Sequence, residues 1–462
     1  MEQINAILDA VDGFVWGAPL AILLLGTGVF LTLRLLFIQV RGFAHGVGII
    51  TGKYDDPNHK GQLTHFQALS AALSGTIGIG NIGGVAIGLY FGGPGAIFWM
   101  WISAVFGMAI KYTSCTLAVM YRKVEADGNI RGGPMYFIEL GMHKAFRPLA
   151  YMFAVCTAFA AFGIGNMTQS NTVAHSLIDA LSIAPESETL VRWAVGLGVT
   201  FFVGLVIIGG IKRIGVVASY LVPIMATLYV LSALFILTIR FDQIGPAFQT
   251  IFHHAFNPTA AAGGFAGATV WLTVLWGLKR GLFSNESGLG SAPMAHSTAK
   301  VEEPVREGLV AMLGPFIDTL VICTMTALVI ITSGAWTKGI NGAPMTMMAF
   351  NDTLPVYGRW MVVVGIVLFA YTTILTWSYY GEKGTEYLLG TRAKPPYRWV
   401  YLIFVLMGAV LDLKSVWTFS DIANALMAIP NLIALIALSG IVAAVTKKYV
   451  SERSRGLHKP FK

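Results

Sequence analysis

Long apolar runs recur along the chain with almost no charge inside them, and this constrains the fold more than any motif. Asp, Glu, Lys and Arg make up 12% of the 462 residues, about half the share in a soluble globular chain. About 20 apolar residues cross the hydrocarbon core as a helix. Backbone groups at that depth have no water to bond to and must satisfy one another, which a helix does within itself. Eleven runs qualify as spans, at 13–37, 66–91, 95–121, 148–181, 190–208, 216–239, 264–299, 305–332, 359–388, 399–411 and 419–445. The chain therefore reads as an all-α polytopic membrane protein with no separate soluble domain.

The formal net charge of +8 would suit a nucleic-acid binder only on a folded basic face, and here the charges lie in loops between spans. Cys115, Cys156 and Cys323 sit in apolar stretches without metal-ligand spacing, which favours unpaired thiols. Glu2, Asp9 and Asp12 precede the first run without a basic residue, so it lacks the n-region of a signal peptide and reads as a retained helix. Eleven spans put the chain ends on opposite sides. About 22 lysines and arginines then fall on one side, against Arg240, Lys338 and Lys414 on the other with Arg192 and Arg359 at span edges. The positive-inside rule places the start of the chain outside and the basic tail in the cytoplasm.

With the first span set aside, ten remain, and the first and sixth of these are interrupted. One is crowded with glycine and the other is overlong and charged. Interruptions at corresponding places in two five-helix halves point to an inverted-repeat transporter whose broken helices meet at mid-membrane. The organisation expected is an extra helix and loop (1–64), two repeats (65–240 and 241–445) and a basic tail (446–462).

The stretch Ser74-Gly75-Thr76-Ile77-Gly78-Ile79-Gly80-Asn81-Ile82-Gly83-Gly84 holds five glycines in eleven residues. Each costs a helix up to about 1 kcal/mol relative to alanine. Unwound backbone at this depth frees carbonyls for a cation and N–H groups for a carboxylate, the latter helped by a half-helix N-terminus. Close helix packing explains Gly80 with Gly84, but not Thr76 and Asn81 among them. Asn166, Gln169 and Ser170 share a helical face at i, i+3 and i+4 and are expected to line a pocket for an amino acid, with interhelical hydrogen bonding as the alternative. Further on, Gly277 and Gly281 bracket an expected break, with Thr273 beside it and Trp276 and Phe283 as apolar walls. Lys279, Arg280 and Glu286 read as a gate or structural ion pairs, the basic residues on the cytoplasmic side of the break, with direct binding of the substrate carboxylate by Arg280 as the alternative. Thr372 and Thr373 offer adjacent hydroxyls that, with carbonyls near Ser74 and Ile77, could hold a hard monovalent cation or simply bond back to their own helix. Lys111 and Asp318 read as a buried structural pair.

At these residues the chain resembles the alanine or glycine:cation symporter family of prokaryotes. The likeness runs from His65-Phe66-Gln67-Ala68 through Gly75–Ile82, Gly92-Gly93-Pro94-Gly95-Ala96, Arg131-Gly132-Gly133-Pro134-Met135-Tyr136 and Gly165-Asn166-Met167-Thr168-Gln169-Ser170-Asn171 to Arg280-Gly281-Leu282-Phe283-Ser284-Asn285-Glu286-Ser287-Gly288. The resemblance implies a LeuT-type five-plus-five inverted repeat with two broken helices and one extra N-terminal helix, in the prokaryotic inner membrane. It also implies co-transport of sodium with alanine or glycine, and a sodium site at Ser74, Ile77, Thr372 and Thr373. Where the family commonly reads Gly-Thr-Gly-Asn this chain has Gly78-Ile79-Gly80-Asn81, one oxygen fewer.

The function expected is sodium-coupled uptake of a small neutral amino acid, with sodium as co-transported ion rather than cofactor. The substrate carboxylate would meet N–H groups from Thr76 to Gly80. Its ammonium would meet Asn81, Gln169 or carbonyls near Gly277, and Trp276 with Phe283 would limit side-chain size. A proton-coupled symporter is the rival, but Glu286 and Asp318, the titratable carboxylates near the centre, are expected toward the cytoplasm. An intramembrane enzyme would need a catalytic constellation, and no HExxH or GxSxG occurs. A receptor-like sensor would need a signalling domain. Lipid surrounds the chain, and neither nucleic acid nor an obligate protein partner is implied.

Overall fold

Helices that must bury their own hydrogen bonds in lipid account for nearly all of the architecture. The computed structural model describes residues 10–126, 128–257, 269–411, 414–458 and 460–461. Glu2, Asp9 and residues 264–268 of the expected seventh run lie outside the described residues. Among the described residues, eight helices are each long and apolar enough to cross a membrane, and a bent pair makes nine. The two remaining expected runs are present as shorter helices, one interrupted and one of 17 residues.

The first span ends in α1 (Ala18–Arg34). The first five-helix unit starts with α2 (His65–Thr76) and α3 (Val85–Gly92), the bent pair, followed by α4 (Gly95–Met120). Next come α5 (Arg147–Phe162) running into α6 (Thr168–Leu181), then α7 (Pro185–Ile207) and α8 (Gly210–Ile239). After the surface helix α9 (Phe241–Phe256), the second unit starts with α10 (Val270–Asn285) and α11 (Ala292–His296). It continues through α12 (Pro304–Ala311), α13 (Thr324–Ser333), α14 (Ala343–Thr353), α15 (Tyr357–Leu389), α16 (Lys394–Val410) and α17 (Lys414–Ser454). The strands are two-residue pieces, Lys123–Val124 paired antiparallel with Ile130–Arg131.

Large side chains on α7 and α8 face outward, Phe201 at 62% and Tyr220 at 70% exposure, as lipid-facing helices require. Polar groups tie each membrane face. On one, the Arg122 guanidinium donates to the carbonyls of Lys60, Ser297, Ala299 and Val301 at 2.6–2.9 Å. On the other, Lys279 pairs with Asp12 at 3.1 Å.

Both expected interruptions exist, and one is displaced. The first bends the α2–α3 pair by 54°, with Ile77 extended (φ −73°, ψ 92°). The second does not lie between Gly277 and Gly281: α10 runs unbroken to Asn285. The chain turns instead at Glu286, Gly288 and Gly290, whose φ values of 54°, 97° and 86° end the helix. Gly277 and Gly281 serve close packing on α4. A Cβ at Gly277 would lie 2.5 Å from the Ala96 carbonyl oxygen, and one at Gly281 would overlap Ser103 Oγ and sit 3.2 Å from Met100 Cα.

Gly281→Val should therefore destabilise the protein by about 1–3 kcal/mol, the usual cost of overpacking a tight core. Gly198→Ala, where a Cβ meets nothing within 4 Å, should not, and thermal unfolding in detergent compares the two.

Candidate functional site

The two breaks face each other. A Cβ on Gly80 would lie 3.3 Å from the Phe283 ring and 3.5 Å from Ser284 Cα. At the first break the Ile77 N–H still reaches the Leu73 carbonyl at 2.7 Å, but the Gly78 N–H turns to Asn81 Oδ1 at 2.9 Å. The Ser74 carbonyl thus loses its intrahelical donor. The helical turn that resumes at Gly80 has no side-chain cap, and its Asn81 N–H bonds back to the Gly78 carbonyl at 3.2 Å. At the second break, side chains satisfy the backbone and the carboxylate. Asn431 donates to the Gly288 carbonyl at 2.8 Å, and Asn285 Oδ1 accepts from Ser287 N at 3.0 Å. Glu286 accepts from Trp377 Nε1 at 3.0 Å and Ser291 Oγ at 2.5 Å.

Between the breaks lies a cavity with about 20 Å³ of space for the centre of a water molecule. Gly75, Thr76, Gly78 and Gly80 of the first break line one part of it. Ile164, Gln169, Phe283, Glu286, Thr373, Trp377 and Asn424 line the rest. Three polar oxygens in this lining, Gln169 Oε1, Thr373 Oγ1 and Asn424 Oδ1, are buried without a hydrogen-bond partner. An unpaired buried acceptor costs about 1–3 kcal/mol, so three converging on one cavity mark a place built for a ligand that donates or is positively charged. Phe283 borders this cavity and a second one of about 210 Å³ on the Asp12 side, so its ring partitions them.

The structure brings together part of the expected site. Thr373 faces the first break, its hydroxyl 2.7 Å from where a Gly78 Cβ would be. Thr372 bonds to the Leu368 and Phe369 carbonyls at 3.1 Å and lies against Met225 Sδ. Thr376, one turn on from Thr373, is hydrogen-bonded to Ser74 Oγ and the Ala71 carbonyl, pinning α15 to α2.

Gln169 lines the cavity, with its amide nitrogen held by the Ile164 carbonyl at 3.0 Å. Asn166 and Ser170 do not. Asn166 donates to the Tyr401 carbonyl at 2.9 Å, and Ser170 bonds the Met167 carbonyl at 3.2 Å beside Gly408. The widened turn Gly163–Met167 breaks the 3.6-residue register on which a shared face depends. Thr273, Trp276 and Gly277 also miss the cavity. Because α10 is continuous, Trp276 lies about 15 Å along the axis from Glu286. Thr273 Oγ1 bonds the Gly92 carbonyl at 2.9 Å, and Trp276 stacks on Phe91 at 4.4 Å.

The charges differ from expectation in depth. Lys279 and Arg280 lie on the Asp12 side of the break, not beyond it. Arg280 lines the outer cavity with its guanidinium over the Trp276 and Phe283 rings, at 5.3 and 5.6 Å. Glu286 and Asp318 lie at the breaks themselves. Asp318 accepts from Asn81 Nδ2 at 2.6 Å, Thr319 Oγ1 at 2.7 Å and Ser284 Oγ at 2.8 Å. Asn81 is thereby occupied on both sides and faces away from the cavity. Lys111 makes no ion pair within 4 Å among the described residues, and its charge acts on both Glu286 and Asp318 from nearby. Ile79, where the resemblance leads one to expect threonine, lines the outer cavity and not the central one.

Trp377 and Asn424 were not singled out from sequence, although signals existed. Trp377 is four residues after Thr373 on one helical face. Asn424 and Asn431 are two amides seven residues apart in an apolar run.

The model of the sodium:alanine symporter family matches residues 1–462. The chain belongs to that family. The sodium/alanine symporter AgcS of Methanococcus maripaludis is 46% identical over 450 residues, 96% of this chain and 97% of that one. An uncharacterized transporter of Haemophilus influenzae is 47% identical over 449 residues, 96% of each chain. The crystal structure of MhsT in complex with L-phenylalanine superposes with a TM-score of 0.58 at 12% identity, covering 82% of this chain and 90% of that one. This likeness shows the LeuT-type fold alone. Members of the family are symporters, so the chain is a transporter and not an enzyme, and sodium enters as a transported ion rather than a cofactor.

On the Arg122 side of this symporter, both broken helices end on one carboxylate. His65 at the start of α2 and His296 at the end of α11 each turn Nδ1 to an oxygen of Glu307 on α12, His296 at 2.6 Å. All three side chains are 1% exposed or less. Glu307→Ala leaves two buried imidazoles without their acceptor. It should lower stability by about 2–6 kcal/mol, at about 1–3 kcal/mol for each buried donor left unpaired, read as a fall in the unfolding temperature of the purified protein.

Proposed function

We propose that this symporter imports alanine and glycine with sodium by alternating access across a prokaryotic cytoplasmic membrane. Its first helix starts outside and its basic tail is cytoplasmic, as the asymmetry of lysine and arginine supports. In this reading residues 1–64 add a helix and loop to the repeats 65–240 and 241–445, with 446–462 as the tail. The observation that carries the reading is the convergence of unpaired Gln169, Thr373 and Asn424 oxygens on a small cavity where both helices break. A sodium ion takes oxygen ligands. The Ser74 and Ile77 carbonyls with the Thr373 hydroxyl supply them, and Thr372 supports Thr373 from the adjoining position.

The substrate carboxylate meets the N–H groups that open the helix at Gly80, where the helix dipole favours an anion. Its ammonium meets Gln169 Oε1 and the Glu286 carboxylate. Phe283 and Trp377, rather than Trp276, limit the side chain, so alanine and glycine fit where leucine does not. Coupling arises because sodium and substrate both favour the state in which the broken helices close on the cavity, each by its differential affinity.

Proton coupling is the second reading, favoured by one observation: Glu286 and Asp318 are buried at the breaks. Labelled alanine uptake into proteoliposomes, under a sodium gradient or a proton gradient alone, separates the two. Sodium alone should drive accumulation. Thr373→Val should raise the sodium concentration for half-maximal uptake about tenfold, equivalent to one lost ligand contact of about 1.4 kcal/mol. Accumulation driven by protons alone would replace sodium with a proton on Glu286.

A further inference from the structure

A cavity of about 400 Å³ lies away from both breaks, where the end of α1 meets α12 and the last turns of α17. Four cations line it: Arg34, Arg41, Lys447 and Arg453, with no carboxylate in the lining. Among the described residues none of the four makes an ion pair within 4 Å. Arg41 donates to the Leu36 carbonyl at 3.3 Å, and Arg34 lies 5.7 Å over the Phe30 ring. The neighbouring carboxylate, Glu452, is engaged by Lys448 at 3.8 Å and His458 at 3.1 Å. The local field is thus positive and uncompensated. His45, in the loop helix Phe43–Gly48 and bonded to the Tyr449 hydroxyl at 2.8 Å, registers it. Burial first, then the charges of Arg453, Arg306 and His458, push its pKa down to about 4.

Apart from His45, Thr446 and Tyr449, the rest of the lining is apolar. Leu35, Ile38, Leu309 and Ala443 form the floor, and Leu36 (64% exposed) and Val450 (40% exposed) stand at the mouth. Leu36 and Phe37 hold positive φ values of 53° and 56°, a conformation that L side chains rarely adopt. This strained turn carries the chain from α1 into the helix Ile38–Arg41, across the cavity edge. A soluble anion has no use for an apolar floor, and an acyl chain has none for four cations. Basic pockets between membrane helices suit lipid headgroups, with the chains lying along the helices.

We propose that this cavity is a binding site for an anionic membrane phospholipid, its phosphate among Arg34, Arg41, Lys447 and Arg453 and an acyl chain over Leu36 and Val450. The bound lipid joins α1 and α17 across α12 and neutralises cations that otherwise repel one another. Native mass spectrometry of the full-length protein, purified and depleted of lipid, tests it with dioleoyl phosphatidylglycerol and dioleoyl phosphatidylcholine. Phosphatidylglycerol should persist as a bound adduct where phosphatidylcholine is lost. Each basic side chain near an anionic surface contributes about a fivefold factor in affinity, so Arg34→Gln with Arg453→Gln should weaken retention about 30-fold. Lys212→Gln with Lys338→Gln, away from the cavity, should leave it unchanged. Should the first pair not fold, Arg41→Gln and Lys447→Gln made singly should each show the fivefold loss. Equal retention of the two lipids, unchanged retention in the cavity variants, or displacement of phosphatidylglycerol by millimolar inorganic phosphate would overturn the proposal.

Discussion

Everything central to this molecule depends on how two interrupted helices satisfy their backbone inside a membrane. Each unpaired polar group in hydrocarbon costs several kcal/mol, so a break survives only where side chains replace the lost bonds. At the first break Asn81 does this with Oδ1 on Gly78 N–H, and its other end is held by Asp318. At the second, Asn431 and Asn285 serve the backbone while Trp377 and Ser291 hold Glu286. Among the oxygens left unpaired, those of Gln169, Thr373 and Asn424 line one small cavity between the breaks.

The surrounding helices set the limits of that cavity. Ser74 and Thr376 pin the first half-helix to α15, so a movement of one is felt by the other. Phe283 separates the cavity from the outer one, where Arg280 lies over aromatic rings. On the opposite face Glu307 gathers both half-helices through His65 and His296. The breaks are thus fixed at both ends by polar contacts of few atoms. Such contacts can be exchanged between two discrete arrangements, as rigid-body switching requires.

Much of this was legible in the sequence. Apolar run lengths give the helices, and glycine density together with Thr76 and Asn81 marks the first break within a few residues. The second was misplaced because glycine has two uses in membrane helices. Gly277 and Gly281 let α10 approach α4, whereas Gly288 and Gly290 permit the left-handed backbone of the turn. A single sequence does not separate these uses, since both leave the same residue type at similar spacing. That one displacement carried Thr273, Trp276 and Gly277 into the expected site and put Lys279 and Arg280 on the wrong side of the break. Asn166 and Ser170 failed for a different reason, because a widened turn breaks the helical register and nothing in the residue types announces it. Trp377 and Asn424 approach from the far end of the chain, and only the packing of the second unit against the first brings them in.

The central claim is that sodium and substrate share one cavity and favour the same closure. Equilibrium binding of alanine to the purified protein, measured by calorimetry with sodium and with choline in its place, tests it most directly. Linkage requires that sodium tighten alanine binding by the same factor by which alanine tightens sodium binding, on the order of 5–150-fold for typical coupling. Alanine affinity that is unchanged when choline replaces sodium would contradict the account.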